Sequence, residues 1–210
     1  MINRYNSDSL DFSRRISLTI GHFSTQYGIV DGSNTIVLLK TGSGGSIDGY
    51  ENKYLNLAHN IHNKYGFSVI IASSPKTILN IRKSCMDQAM SVLHQYCEER
   101  CFDCAVVLAV GISIGGLTVL ECHRKYPEIH SVLAVNPPLP FFKGRLRKRN
   151  GEETEDVNIV FGENDNNRKY IGSLKKDWET EIIPRQNHLF SGEGERVESV
   201  IDRWIEEHLK

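Results

Sequence analysis

Residues 104–127 read Cys-Ala-Val-Val-Leu-Ala-Val-Gly-Ile-Ser-Ile-Gly-Gly-Leu-Thr-Val-Leu-Glu-Cys-His-Arg-Lys-Tyr-Pro. The segment opens on an unbroken apolar run, 105–110, rich in β-branched residues and free of charge. Such a run predicts a strand buried on both faces, as in a parallel sheet covered by helices. It breaks at Gly111. After Gly116 a helical pattern begins, with Leu117, Val119 and Leu120 on the apolar side and Glu121 and Arg124 outside, and Pro127 ends it. Between strand and helix lies Gly111-Ile112-Ser113-Ile114-Gly115, a G-x-S-x-G. A serine on so sharp a turn needs small neighbours where backbone and helix crowd together. The turn lifts its hydroxyl clear of the sheet, and the helix N-terminus behind it favours developing negative charge. Ser113 is therefore the candidate nucleophile. A phosphate-binding loop is excluded because no Lys-Ser or Lys-Thr follows the glycines. An inert serine in a tight strand-to-helix turn is the alternative.

Working outward, the apolar runs recur. Strands are predicted near 14–21 and 25–30, with Asp31-Gly32 as a turn into the next, and again at 35–40, 67–72, 131–136, 157–161 and 179–183. Helices are predicted at 49–64 (Tyr50, Tyr54, Leu57, Ala58 and Ile61 on one side, Gly66 as the C-cap), 84–100, 167–176 and 194–209. Strand and helix alternate at least five times, so the economical architecture is α/β: a mostly parallel central sheet flanked by helices, with antiparallel strands at the N-terminus.

With these elements in place, the strand–turn–helix around Ser113 resembles the nucleophile elbow of the α/β-hydrolase superfamily, and the likeness extends from residue 35 to residue 210. Many members carry His before the nucleophile, where this chain has Ile112. The resemblance implies a minimal cap or none, and an acid member of a triad just beyond a late central strand. Asp165 takes that place in Gly162-Glu163-Asn164-Asp165, with Glu163 as the fallback. It also implies a base after the last strand. Of the eight histidines, His188 alone lies between the final strand and the closing helix, completing the order Ser…Asp…His. The glycine-rich loop Thr41-Gly42-Ser43-Gly44-Gly45-Ser46 follows an early strand and could cradle an anion with backbone N–H groups. By position in the family, the oxyanion donors would be the N–H groups of Ser43 and Ile114, with Thr41 standing where the family often has His. A dinucleotide fingerprint does not fit, because the third glycine is out of place.

The bounds set by the whole chain agree. Its 210 residues fit a single domain, 1–210, and its 40% hydrophobic and 24% charged content are those of a globular protein. A net charge of −1 offers no electrostatic footprint for nucleic acid. No apolar stretch reaches membrane-spanning length, and residues 1–11 lack a secretory core. Five cysteines without a regular framework suggest reduced thiols and a cytoplasmic setting, and Cys101-Phe-Asp-Cys104 has no second pair at metal-ligand spacing.

The function implied is cleavage of an ester or thioester by a serine hydrolase (carboxylesterase- or thioesterase-like), with no metal or organic cofactor required. An acyltransferase using the same residues and a hydrolase-shaped binding protein without turnover remain open. The substrate is expected to be a small acyl compound. A basic run, Lys143, Arg145, Arg147, Lys148 and Arg149, follows Phe141 and Phe142 in a stretch of about twenty residues after Asn136. That run could contact the phosphates of a coenzyme A or carrier-bound thioester, or it could be a solvated loop neutralised by Glu152, Glu153, Glu155 and Asp156.

Overall fold

The computed structural model describes residues 10–76, 81–138, 156–174 and 178–209. Eight strands form one sheet: β1 (Arg14–Ile20), β2 (Phe23–Val30), β3 (Ser33–Lys40), β4 (Phe67–Ala72), β5 (Val106–Ile112), β6 (Ile129–Val135), β7 (Asp156–Gly162) and β8 (Glu179–Ile183). Their order across the sheet is β1-β2-β4-β3-β5-β6-β7-β8. The pairs β1–β2 and β2–β4 are antiparallel and every other pair is parallel, so β2 alone runs against the rest. The mostly parallel sheet with an antiparallel entry is thus the one expected.

Helices cover both faces. On one side lie α1 (Lys53–Tyr65) and α5 (Val197–His208), whose Leu57, Ile61, Ile201 and Trp204 pack on Val37, Leu39, Val110 and Val135. On the other lie α2 (Arg82–Glu99), α3 (Ile114–Cys122) and the short α4 (Ile171–Leu174), packed on Ile36, Leu38, Ala109 and Ala134. Neighbouring residues of one strand thus go to opposite cores, as a period of two requires. This is why the central strands read as continuous apolar runs rather than alternating ones.

The register places the edge on which Ser113 lies. Lys40 pairs with Ala72 and Gly111, Gly111 with Ala134, and Gly162 with Ile183. The chain therefore leaves β3, β5, β6, β7 and β8 along one edge of the sheet, where loops from distant parts of the sequence meet.

Four local expectations are corrected. Tyr50 is not on the buried side of α1: a 3-10 turn, Tyr50–Asn52, precedes that helix, and Tyr50 is 80% exposed. The helix after the Ser113 turn starts at Ile114, not beyond Gly116, because close packing of its first turn on β5 overrides the weak helix propensity of two glycines. Glu121 does not face solvent: its side chain is 4% exposed and bonds the Arg82 guanidinium from α2 at 3.0 Å. The expected helix at 167–176 is a 3-10 turn, Asn166–Tyr170, followed by α4. The basic run from Lys143 to Arg149, with Phe141 and Phe142, lies outside the described residues. No helix among the described residues is long and apolar enough to cross a membrane.

Candidate active site

The backbone of Ser113 has φ 53° and ψ −119°, a conformation that costs a side-chain-bearing residue of the order of 1–3 kcal/mol and is held only where its surroundings impose it. The surroundings are glycines. A Cβ on Gly111 would lie 2.4 Å from the Gly115 carbonyl oxygen, and one on Gly115 only 2.2 Å from that of Lys40. Both positions need hydrogen where β3, β5 and α3 converge. The Ser113 N–H donates to the Val135 carbonyl at 2.7 Å, which pins the turn to β6.

His188, in the loop after β8, brings Nε2 to 3.0 Å from Ser113 Oγ. Its Nδ1 lies 2.8 Å from Asp165 Oδ2. Asp165 follows β7 and is buried, its side chain 2% exposed against 40% for His188. Its Oδ1 accepts the Asn167 N–H at 2.7 Å and so caps the 3-10 turn after β7. One carboxylate oxygen thus anchors the residue and the other is left for the imidazole. Glu163, the fallback acid, points elsewhere: its Oε2 accepts the Arg185 N–H at 2.8 Å. The structure therefore brings Ser113, His188 and Asp165 together and leaves Glu163 out.

The loop after β3 reaches the same point. A Cβ on Gly42 would lie 3.4 Å from Ser113 Cβ, so the backbone of Gly42 runs directly beside the serine. Ile114 is the first residue of α3, where an N–H has no intrahelical acceptor. Thr41, where His was the family's usual letter, is buried and ties the loop to itself and to β4. Its Oγ1 donates to the Gly45 carbonyl at 3.0 Å, its N–H donates to Ala72 at 3.1 Å, and its carbonyl accepts Ser74 Oγ at 2.7 Å.

Two residues of the site carry little signal in the sequence. Asn136, with φ 49° and no exposed surface, ends β6. Its Nδ2 donates to the carbonyls of His188 (2.9 Å) and Asn187 (3.2 Å), while its Oδ1 accepts the Gly162 N–H at 2.8 Å. One buried amide thereby fixes the histidine loop against the strand that delivers Asp165. The clue was a polar residue between an apolar run and Pro137-Pro138. Lys40 ends β3 fully buried, its Nζ donating to the Ser73 carbonyl. Burial pushes its ammonium down to about 8. A lysine closing an otherwise apolar strand was the signal there.

No protein-family model and no curated protein sequence matches the chain. Solved structures do. Est1E from Butyrivibrio proteoclasticus superposes with a TM-score of 0.65 at 14% identity, over 93% of this chain and 98% of that one. XC6422 from Xanthomonas campestris, described as an α/β serine hydrolase without lid, gives 0.58 at 16% identity over 85% and 87%. An arylesterase gives 0.67 at 13% identity over 94% and 85%.

Proposed function

We propose that this chain, which has the α/β-hydrolase fold, is a serine hydrolase that cleaves a small carboxylic ester through an acyl-enzyme. The observation that carries the reading is the hydrogen-bonded chain from buried Asp165 through His188 to Ser113, at 2.8 and 3.0 Å, ending on a strained serine. The likeness to hydrolases and to an arylesterase in fold agrees with it.

In this reading Ser113 Oγ attacks the ester carbonyl carbon while His188 Nε2 takes the hydroxyl proton. Asp165 Oδ2 accepts from Nδ1–H, which holds the imidazole in the tautomer whose Nε2 lone pair faces the serine and stabilises the imidazolium that forms. The carbonyl oxygen, now an oxyanion, receives the N–H groups of Ser43 and Ile114. One such donor is worth roughly 2.7–4 kcal/mol of transition-state stabilisation. Collapse expels the alcohol, which takes the proton from His188 Nε2. Water then attacks the acyl group with His188 again as base, releasing the acid and restoring Ser113. A thioester would follow the same steps with a thiolate leaving.

The test is covalent. A fluorophosphonate should add one phosphonyl group to the protein, mapped by peptide mass to Ser113, and Ser113→Ala should take no label. Labelling unchanged in Ser113→Ala would overturn the assignment.

A further inference from the structure

The loop that carries His188 is closed on itself by one buried side chain. Gln186, two residues before the histidine, has no exposed surface. Its Nε2 donates to the carbonyls of Gly194 at 2.8 Å and Gly192 at 3.3 Å, and its Oε1 accepts the Gly192 N–H at 2.9 Å. Both N–H donors and the carbonyl of the amide are therefore in use, all on backbone of the same loop. The chain from 187 to 191 is thereby closed at its base, with His188 inside it. The two glycines make the closure possible. A Cβ on Gly192 would lie 2.1 Å from the Arg185 carbonyl oxygen, and one on Gly194 1.9 Å from that of Pro184. Only hydrogen fits where the returning chain crosses its own start.

The backbone of the same residue ties this loop to the one that delivers the acid. The Gln186 carbonyl accepts the Asn164 N–H at 2.7 Å, and Asn164 immediately precedes Asp165. The approach is close, since a Cβ on Gly162 would meet that carbonyl oxygen at 2.7 Å. The loops after β7 and β8 are thus joined at Gln186. Arg185 and Phe190, on either side of the closed segment's start and tip, have φ of 57° and 54°. Such conformations persist only where surrounding bonds over-determine them. The Gln186 amide supplies bonds that join the start of the loop to its end. Asn187 Oδ1, which accepts the N–H groups of Leu189 and Ser191, shapes the tip alone.

We propose that Gln186 is a positioning residue for the reaction: its buried amide holds the loop closed so that one imidazole reaches Asp165 and Ser113 at once. The inference rests on Ser113, His188 and Asp165 acting as proposed above. Two distances must be met together, Nδ1 at 2.8 Å from Asp165 Oδ2 and Nε2 at 3.0 Å from Ser113 Oγ. The His188 side chain is only half-buried, so the placement of the ring falls largely to the backbone that carries it. A loop released at Gly192 and Gly194 lets that backbone shift. A shift of about 1 Å in a reacting group can lower a rate about 100-fold. Substrate does not touch Gln186, which is sealed from the surface, so its loss acts on the chemical step and not on binding.

The experiment separates this role from simple support of the fold. Gln186→Met keeps the length of the side chain and removes all three bonds, while Gln186→Asn keeps the amide but withdraws it by one methylene. With 4-nitrophenyl acetate, well below each thermal midpoint, both variants should lose about 100-fold in kcat while KM stays within about twofold of the wild type. The low-field proton resonance of His188 Nδ1–H, held by Asp165 in the wild type, should vanish in both. Tyr96→Phe is the control. It deletes a buried hydroxyl bonded to Ser68 at 2.9 Å, on the far side of the sheet's length from Ser113, so it should lower the midpoint and leave kcat and the resonance unchanged. A wild-type kcat in Gln186→Met with only a lower midpoint, a loss confined to KM, or an equal loss of kcat in Tyr96→Phe would overturn the proposal. If neither Gln186 variant folds, hydrogen exchange in the wild type decides. A Gly192 amide as protected as that of Asn164 supports the closure, and one that exchanges as in a free chain overturns it. Failure of the underlying reading shows in the wild type itself, as no turnover and no fluorophosphonate labelling at Ser113, and takes this inference with it.

Discussion

The lysine at the end of β3 offers a stability test whose sign and size follow from its burial. Lys40 has no exposed surface, and its ammonium is pushed from the ordinary 10.5 to about 8, first by desolvation, with the nearby Cys85 thiol acting weakly the other way. Between about pH 8 and 10.5 the unfolded chain holds a proton that the folded chain has released, so stability rises with pH across that window. Below it both states are protonated and the full penalty of burying the charge is present. At about 1.36 kcal/mol per pKa unit the penalty is about 3 kcal/mol, most of it relieved between pH 7 and pH 10.

Lys40→Met keeps the length of the side chain and removes the charge. It also removes the donor to the Ser73 carbonyl, a cost of about 1–3 kcal/mol that does not depend on pH. The diagnostic quantity is therefore the pH dependence of the difference between the two proteins, not its value at one pH. Urea unfolding of both at intervals from pH 6 to pH 10 should give a constant difference below about pH 7, then a gain for the wild type of about 2 kcal/mol or more by pH 10. Other groups that titrate in this range are common to both proteins and cancel, and a Cys85→Ala background removes the one thiol coupled to Lys40. A difference that stays flat from pH 6 to pH 10 would show that Lys40 keeps an ordinary pKa when folded, and the account of its burial would fall.

Other expectations follow from the geometry of the site. Asp165→Asn should leave the thermal midpoint close to that of the wild type while lowering kcat by about 10⁴-fold, the cost of the wrong imidazole tautomer; Glu163→Gln, which touches Arg185 and not His188, should lower it far less, and the reverse ranking in steady-state assays would move the acid to Glu163. Asn136→Ala leaves the Gly162 N–H and two loop carbonyls without their partner, so differential scanning calorimetry should show a destabilisation of about 1–3 kcal/mol. The same variant should lower kcat more than it raises KM, because the loop it frees carries His188; an unchanged kcat would deny Asn136 its positioning role. Gly115→Ala sets a methyl group against the Lys40 carbonyl oxygen at 2.2 Å, so the soluble yield or the thermal midpoint should drop sharply, and a variant as stable as the wild type would show that the turn can give way.

The sequence by itself determined what depends on near neighbours in the chain. Apolar runs of strand length gave the buried strands, because a strand covered on both faces has no polar side to display. Gly111, Gly115 and Gly116 around Ser113 gave the sharp turn, because only hydrogen fits where strand and helix meet. The order of Ser113, Asp165 and His188, each just beyond a strand, matched the order that the resemblance to α/β-hydrolases implies, and a parallel sheet delivers such positions to one edge. What only the tertiary structure decided depends on contacts through space. Asp165 and Glu163 stand two residues apart with the same chemistry. Only the crossing of the β7 and β8 loops commits Glu163 to the Arg185 N–H and leaves Asp165 for His188. Tyr50 fitted a helical period and Glu121 an outer face. A turn put the first in solvent, and Arg82, from a helix remote in sequence, took in the second. Asn136 looked like the end of a strand until the histidine loop, some fifty residues later, closed over its amide. A side chain's partners are fixed by which segments the sheet order makes neighbours, and that order is set by crossovers whose reach exceeds any local pattern.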